Sequence, residues 1–213
     1  MYHKNIFWIL LLINFSFGFS QKNKDKSKTS GINFFDDTKK NQGFFTFFLK
    51  ESTNEVLLEI DEFEKDFLYI NSLSTGIGNN DIGLDRGQLG QERIVFFKKM
   101  GNKIFLIQPN LKYRAVTENR SERQSVKEAF AKSVLYGFEI EKELKGKYYI
   151  NITPFLLEDT HGVSMRLKNM GEGNYKVDDS RSAINYKKTK SFINNVEFDV
   201  MLTFEGNPEG SLI

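Results

Sequence analysis

Short apolar runs separated by polar turns recur along the chain and predict β-hairpins. Three pairs of runs fit this pattern: residues 44–50 with 54–60, residues 94–98 with 103–108, and residues 138–144 with 147–152. The second pair is joined through Gly101-Asn102, a dipeptide that tolerates the positive φ of a tight hairpin turn. Because such short connections make neighbouring strands antiparallel, the pattern predicts a mainly antiparallel sheet.

A further region shows the clearest alternation in the chain. Apolar side chains occupy every second position of residues 195–204, namely Val196, Phe198, Val200, Leu202 and Phe204. A strand has a side-chain period of two residues, so these five side chains would share one face. The pattern therefore predicts a single strand over residues 195–204, with one face buried and the other in contact with water.

Helices are predicted between and after the hairpins. The first begins with the capping-box spacing of residues 121–124 and ends at Gly137, with apolar residues at helical intervals: Val126, Phe130 and Val134. A second starts at Thr153-Pro154, and a third fits residues 163–170 before Gly171. We therefore expect an α+β fold, a mainly antiparallel β-sheet built from hairpins with one amphipathic helix and one or two short helices packed on it.

The N-terminal region is interpreted separately from the folded region. An apolar run follows His3-Lys4 and stops at Ser20-Gln21, which is typical of a signal peptide over residues 1–21 and is short for a bilayer-spanning helix. Residues 22–43 are polar and are expected to be a flexible leader. The chain is therefore expected to be secreted or periplasmic, with no stable membrane insertion after signal cleavage. Residues 44–213 are expected to form a single α+β domain, truncated at its C-terminal end.

The net charge and the cysteine content exclude several classes of function. The 213 residues carry 30 Lys and Arg against 28 Asp and Glu, so a formal net charge of +2 gives no general attraction to nucleic acid. The chain has no cysteine, which excludes a disulfide framework, a thiol nucleophile and a thiolate zinc site. Of its two histidines, His3 lies in the predicted signal peptide, so His161 alone would remain after processing.

The glycine-rich stretch STGIGNNDIGLDRGQLGQ, residues 74–91, is the first candidate for a ligand site because loops commonly carry binding residues. Its polar candidates are Asn79, Asp81, Asp85 and Arg86. The stretch departs from a dinucleotide fingerprint because Asp81 stands where a third glycine should open a helix, and no glutamate closes a calcium loop. A structural loop with glycines at positive φ is the favoured interpretation, and ligand or cation binding is the alternative.

His161 and Asp159 form a second candidate polar site. Together they suit a general base or one metal ligand. A catalytic zinc needs about three protein ligands, so a single histidine at a helix end is better explained as a hydrogen-bonded structural residue. The carboxylates Glu59, Asp61, Glu62 and Glu64 are interpreted as a solvated face, although two acids would suffice for glycoside hydrolysis. We therefore predict no catalytic residue and no metal ligand in this chain.

Several phrases carry a family resemblance. They are residues 67–97, which include NDIGLDRGQLG, together with QPNLKYRAVTEN, LLEDTHGV and SFINNVEFDVMLTF. Over residues 44–210 the chain resembles the amino-terminal region, of uncharacterised function, of large secreted bacterial zinc-dependent metalloproteases. The resemblance implies a downstream metzincin-type catalytic domain of the same polypeptide, with an H-E-x-x-H helix that holds the zinc. No position here matches that motif, so no cofactor is expected in this chain.

The sequence thus leads to two hypotheses of different classes. The first is a non-catalytic N-terminal scaffold or pro-region-like domain of a secreted zinc-dependent metalloprotease, which would be inactive when produced alone. The second is a stand-alone secreted binding module that uses loop 74–91 to hold a peptide, glycan or cation.

Overall fold

Eight antiparallel strands form the main sheet of the computed structural model, which describes residues 33–213. The strands are β1 (Thr38–Asn41), β2 (Phe47–Lys50), β3 (Glu55–Ile60), β4 (Phe67–Tyr69), β5 (Arg93–Met100), β6 (Lys103–Gln108), β7 (Ser133–Leu144) and β8 (Lys147–Asn151). They lie in the order β1-β2-β3-β8-β7-β6-β5-β4, and each pair of neighbours is antiparallel. The three predicted hairpins are confirmed as β2–β3, β5–β6 and β7–β8. The predicted signal peptide and residues 22–32 lie outside the described residues.

Turn residues set the register of these hairpins. In the β5–β6 turn Gly101 has a φ of 61°, and in the β7–β8 turn Lys145 and Gly146 have φ values of 53° and 76°. Positive φ at the central turn residues matches the right-handed twist of the flanking strands. The turns pair Met100 with Lys103 and Leu144 with Lys147. Next to each turn, alternate side chains therefore point to the same face of the sheet, and this alternation shifts by one residue at the irregularities near Ile107 and Ile140.

The sheet is curved into a half-barrel whose concave face holds the main core. Phe45, which precedes β2, contacts Phe67 of β4 across this face, with ring centroids 5.1 Å apart. The fully buried core residues include Phe47, Val56, Ile60, Val95, Ile104 and Ile150. Phe155 and the chain from Ile184 to Val200 pack against this core. The concave face is thus covered by irregular and short-stranded chain.

Six short strands complete the described part of the fold: β9 (Gly173–Val177), β10 (Ala183–Ile184), β11 (Lys190–Ser191), β12 (Val196–Glu197), β13 (Val200–Met201) and β14 (Phe204–Pro208). The prediction of one strand over residues 195–204 is wrong, because this stretch contains β12, β13 and the start of β14. Each pairs with a different partner, β11, β10 and β9 respectively. The alternation correctly marked Val196, Phe198 and Val200 as core-packing, but a buried face does not specify a hydrogen-bonding partner.

The helices are short, and the longest is not packed on the sheet. Helix α1 spans Arg120–Ala129, is capped by the Asn119 side chain and has no buried residue. The predicted extension to Gly137 is wrong, because residues 133–137 are the start of β7 and their tertiary pairing with β6 outweighs their helical spacing. Helix α3 (Val163–Asn169) lies where predicted, whereas α2 (Thr153–Leu156) begins as predicted but is a single turn that ends at Leu156. The fold is therefore mostly antiparallel β with a few short helices, and the α+β description fits it only loosely.

Ordered structure begins before Phe44, inside the predicted flexible leader. Strand β1 pairs with β2, and Phe34 and Phe35 pack on the convex face of the sheet against Phe48 and Tyr149. The leader prediction is thus wrong for the described residues 34–43. The segment is polar overall, but the sheet supplies an apolar surface on which Phe34 and Phe35 pack.

Candidate functional site

Loop 74–91 is packed through its apolar residues. Asn80–Ile82 form one turn of 3-10 helix, closed by Gly83 at a φ of 68°. Ile82 and Leu84 are buried and form a small core with Val163 and Leu167 of α3. Tyr175 of β9, Phe204 of β14 and Leu212 pack around it. We name this assembly of loop 74–91, α3, β9 and β14 the loop cluster.

The partly buried polar atoms of the loop form hydrogen bonds with other groups of the same chain. Asn79 Oδ1 accepts the Asp81 N–H at 3.0 Å, and Asn79 Nδ2 donates to the Leu212 carbonyl at 3.0 Å. Arg166 Nε of α3 donates to the Ile82 carbonyl at 2.5 Å. The predicted candidates Asp81, Asp85 and Arg86 have exposed side chains. Asn79 is thus a structural residue, whereas the other three face solvent.

Asp159 accepts hydrogen bonds from the first turn of helix α3, whose N-cap residue is Gly162. Its Oδ1 and Oδ2 accept the N–H groups of Val163 and Ser164, each at 2.8 Å. Both carboxylate oxygens therefore satisfy amides that the first helical turn leaves without a partner. This geometry makes Asp159 a structural residue at the start of helix α3.

His161 links the same helix end to the glycine-rich loop. Its Nδ1 lies 3.1 Å from Asn71 Nδ2. Because an amide nitrogen only donates, His161 Nδ1 accepts this hydrogen bond. The Asn71 carbonyl accepts the Gly90 N–H at 2.7 Å, and a Cβ at Gly90 would overlap the Asn71 side chain. A larger residue at position 90 would therefore displace the Asn71 side chain from its present position.

The predicted carboxylate face separates into individual ion pairs. Glu62 pairs with Lys65 at 2.5 Å and Glu64 with Lys98 at 3.0 Å. The hydrogen bond and charge of Lys98 lower the pKa of Glu64 below its ordinary value. Both carboxylates are exposed, in agreement with the solvated face predicted for them.

Glu59 differs from its neighbours because it is buried, which sequence reasoning missed. It accepts hydrogen bonds from Lys147 Nζ at 2.5 Å and from Tyr149 Oη at 3.0 Å. Burial, followed by the hydrogen bond to Glu59, raises the pKa of Tyr149 to about 12. The hydrogen bond to Glu59 also raises the pKa of Lys147. The position of Glu59 inside the apolar run EVLLEI indicated that it could be buried. Its partners on the neighbouring strand could not be identified from the sequence.

An open cleft of about 560 Å³ lies beside α2. Its lining residues are Tyr136, Thr153, Pro154, Leu157, Glu158, Asp159, Val177 and Asp179. Burial raises the pKa of Glu158, and burial followed by the charge of Glu158 raises the pKa of Tyr136. Across residues 33–213 no group of three or more His, Asp or Glu side chains is arranged to hold a metal ion. In the same residues no helix is long and apolar enough to cross a bilayer.

Two families match the chain, and both are described as domains of unknown function. One (DUF5117) matches residues 87–212 and the other (DUF5118) matches residues 33–76. The chain belongs to the DUF5117 family. No curated protein and no solved structure matches it.

The two matched segments build one sheet together. The DUF5118 segment supplies β1–β4, and the DUF5117 segment supplies β5–β8. They join twice in the strand order, where β3 pairs with β8 and β4 pairs with β5. Core residues of both segments pack together on the concave face. The DUF5117 fold of this chain is therefore completed by DUF5118 strands.

Proposed function

We propose that this chain is the non-catalytic N-terminal scaffold domain of a secreted zinc-dependent metalloprotease, with the zinc-binding catalytic domain downstream in the same polypeptide. The observation that carries the proposal is that loop 74–91 packs against α3 and Leu212 as a structural element. This loop contains NDIGLDRGQLG, the most distinctive phrase of the metalloprotease resemblance. Its buried residues and its partly buried amide hold α3 and Leu212 in place.

The candidate polar site supports the same proposal. Asp159 accepts N–H groups of the first α3 turn through both carboxylate oxygens, and His161 bonds Asn71 through Nδ1. Both residues thus stabilise the junction between the loop and α3. A scaffold needs rigid junctions of this kind, because a domain can orient its neighbour only if its own elements keep fixed positions.

Sequencing the DNA beyond the Ile213 codon tests whether a catalytic domain follows in the same polypeptide. The proposal requires an open frame that encodes an extended H-E-x-x-H motif. Purified chain incubated with zinc and casein should release no peptides, whereas a polypeptide that includes the downstream domain should release them. Zinc-dependent cleavage by this chain alone would overturn the scaffold proposal.

A matched pair of arginine variants separates a scaffold from a ligand-binding loop. Arg166→Ala removes the bond to the Ile82 carbonyl, and Arg86→Ala removes an exposed loop cation. A scaffold predicts that Arg166→Ala lowers the thermal midpoint of the chain and that Arg86→Ala leaves it unchanged. If a peptide or glycan array reports binding that Arg86→Ala abolishes, the binding-module alternative replaces the scaffold proposal.

A further inference from the structure

The hairpin β11–β12 ends in an apolar tip that faces solvent. At this tip Ile193 is 87% exposed and Phe192 is 46% exposed, and the adjacent Phe44 is 44% exposed. The Phe44 N–H donates to the Phe192 carbonyl at 2.6 Å, so the backbone at Phe44 lies directly beside the hairpin tip. We call Phe44, Phe192 and Ile193 the apolar tip. Contiguous exposed apolar groups mark interaction surfaces, whereas single ones need no explanation.

The apolar tip is held rigidly by the fold. The Phe192 N–H donates to the Asn195 carbonyl at 2.8 Å and closes the turn. Ser191 Oγ donates to the Phe45 carbonyl at 2.6 Å, and a Cβ at Gly43 would overlap the Phe192 carbonyl. At the base of the hairpin, Phe198 packs on Phe47 with ring centroids 5.1 Å apart. The tip is therefore exposed although the chain around it is held in a fixed position.

The chain that leads into the tip is basic. Lys187, Lys188 and Lys190 are exposed, and none of them pairs with a carboxylate of residues 33–213. No acidic residue occurs between Tyr186 and Asn195, and the next carboxylate, Glu197, accepts a hydrogen bond from Asn195. A protruding apolar tip next to unpaired lysines is complementary to a surface with negative charge outside and hydrocarbon beneath.

We propose that the apolar tip and Lys187, Lys188 and Lys190 dock this domain reversibly on an anionic lipid surface. Ile193 and the two phenylalanine rings enter the boundary between head groups and acyl chains. The lysines bind the acidic head groups, and the half-barrel stays in water. This inference does not depend on the proposed function, because it uses only the surface of the described residues.

Vesicle co-sedimentation tests the proposal. Segment 33–213, which contains the complete eight-stranded sheet, is mixed with vesicles of phosphatidylcholine alone or with about a third phosphatidylglycerol. We expect binding to the anionic vesicles, weaker binding to the neutral ones, and loss of the difference at high salt as the charges are screened. Absence of binding to anionic vesicles at low salt would overturn the proposal.

Matched variants assign the binding to this surface. Ile193→Asn should weaken the partition constant about tenfold or more, given the transfer free energy of an isoleucine side chain. Val116→Asn, at a residue that is 90% exposed in the β6–β7 connection, should leave binding unchanged. Equal binding by the Ile193→Asn and Val116→Asn variants would contradict the proposal, provided that their thermal melts match.

The charge component has its own pair of variants. Replacing Lys187, Lys188 and Lys190 with Gln should weaken binding to anionic vesicles about fivefold for each lysine. Replacing the exposed Lys127, Lys142 and Lys145 with Gln lowers the net charge equally and should have a much smaller effect. Equal losses in the two triple variants would show general attraction instead. Concentration-dependent self-association that Ile193→Asn abolishes, without vesicle binding, would assign the tip to a second copy of the chain.

Discussion

The half-barrel and the loop cluster are stabilised in different ways. In the half-barrel, strands from two family segments bury a continuous apolar face, and many side chains share the packing. In the loop cluster, four buried apolar residues are supplemented by a few hydrogen bonds of the Asn79, Asp159 and Arg166 side chains. Substitutions in the half-barrel are therefore expected to affect the whole fold, whereas substitutions in the loop cluster should act locally.

The largest expected effect is in the half-barrel. Phe47→Ala should lower the free energy of unfolding by about 3–5 kcal/mol, because Phe47 is fully buried and its loss leaves a cavity. Phe44→Ala, at the exposed tip, should cost less than about 1 kcal/mol. Urea unfolding followed by circular dichroism measures both. Similar losses in the two variants would contradict the assigned core.

A smaller and local effect is expected at Glu172. This carboxylate is buried and accepts the Leu212 N–H at 2.9 Å. Glu172→Ala should cost about 1–3 kcal/mol, because it leaves that amide without its charged acceptor. Hydrogen exchange should accelerate at the Leu212 amide but not in β6 and β7. The control Glu205→Ala removes only exposed ion pairs, with Lys176 and Arg181, and should change stability by less than about 1 kcal/mol.

Tyr149 makes the stability of the half-barrel depend on alkaline pH. The folded pKa of Tyr149 is raised to about 12 from an ordinary value of 10.0, so the fold favours the neutral phenol. The resulting stability is complete below pH 10 and is lost as the pH rises towards 12. At pH 11 the loss amounts to about 1.4 kcal/mol.

The Tyr149→Phe variant removes this titration. It should be less stable than the unmodified chain at pH 8, because Glu59 loses a hydrogen bond. Its stability should then fall less between pH 9 and pH 11, as measured by urea unfolding at each pH. Parallel pH profiles for the two proteins would refute the assignment to Tyr149.

The smallest effect is expected at the start of helix α3. Asp159→Ala should cost about 1 kcal/mol and accelerate exchange of the Val163 and Ser164 amides, and Asp159→Ser should restore part of the loss. His161→Ala should cost no more than Asp159→Ala, because it removes one half-buried hydrogen bond. A larger loss from His161→Ala would show that His161 holds more of the loop cluster than its contact with Asn71.

Much of the sheet was predictable from local pattern, but its convex face was not. The three hairpins follow from residues close in sequence, such as Gly101 and Gly146 with positive φ in their turns. In contrast, Phe34 and Phe35 are ordered by Phe48 and Tyr149, which are distant in sequence. The candidate site shows the same division. The structural role predicted for His161 agrees with its bond to Asn71, but nothing near His161 in sequence named Asn71 as its partner.

The sequence by itself determined the hairpins, the starts of α2 and α3, and the apolar face of residues 195–204, because each depends on neighbours along the chain. The pairing of this stretch with three different strands, β11, β10 and β9, depends on the tertiary structure. So does the place of residues 133–137 in β7 rather than in α1. The tertiary structure also decided the burial of Glu59 beside Lys147 and Tyr149. The physical reason is that hydrogen-bonding partners and burial are set by surfaces contributed from distant parts of the chain.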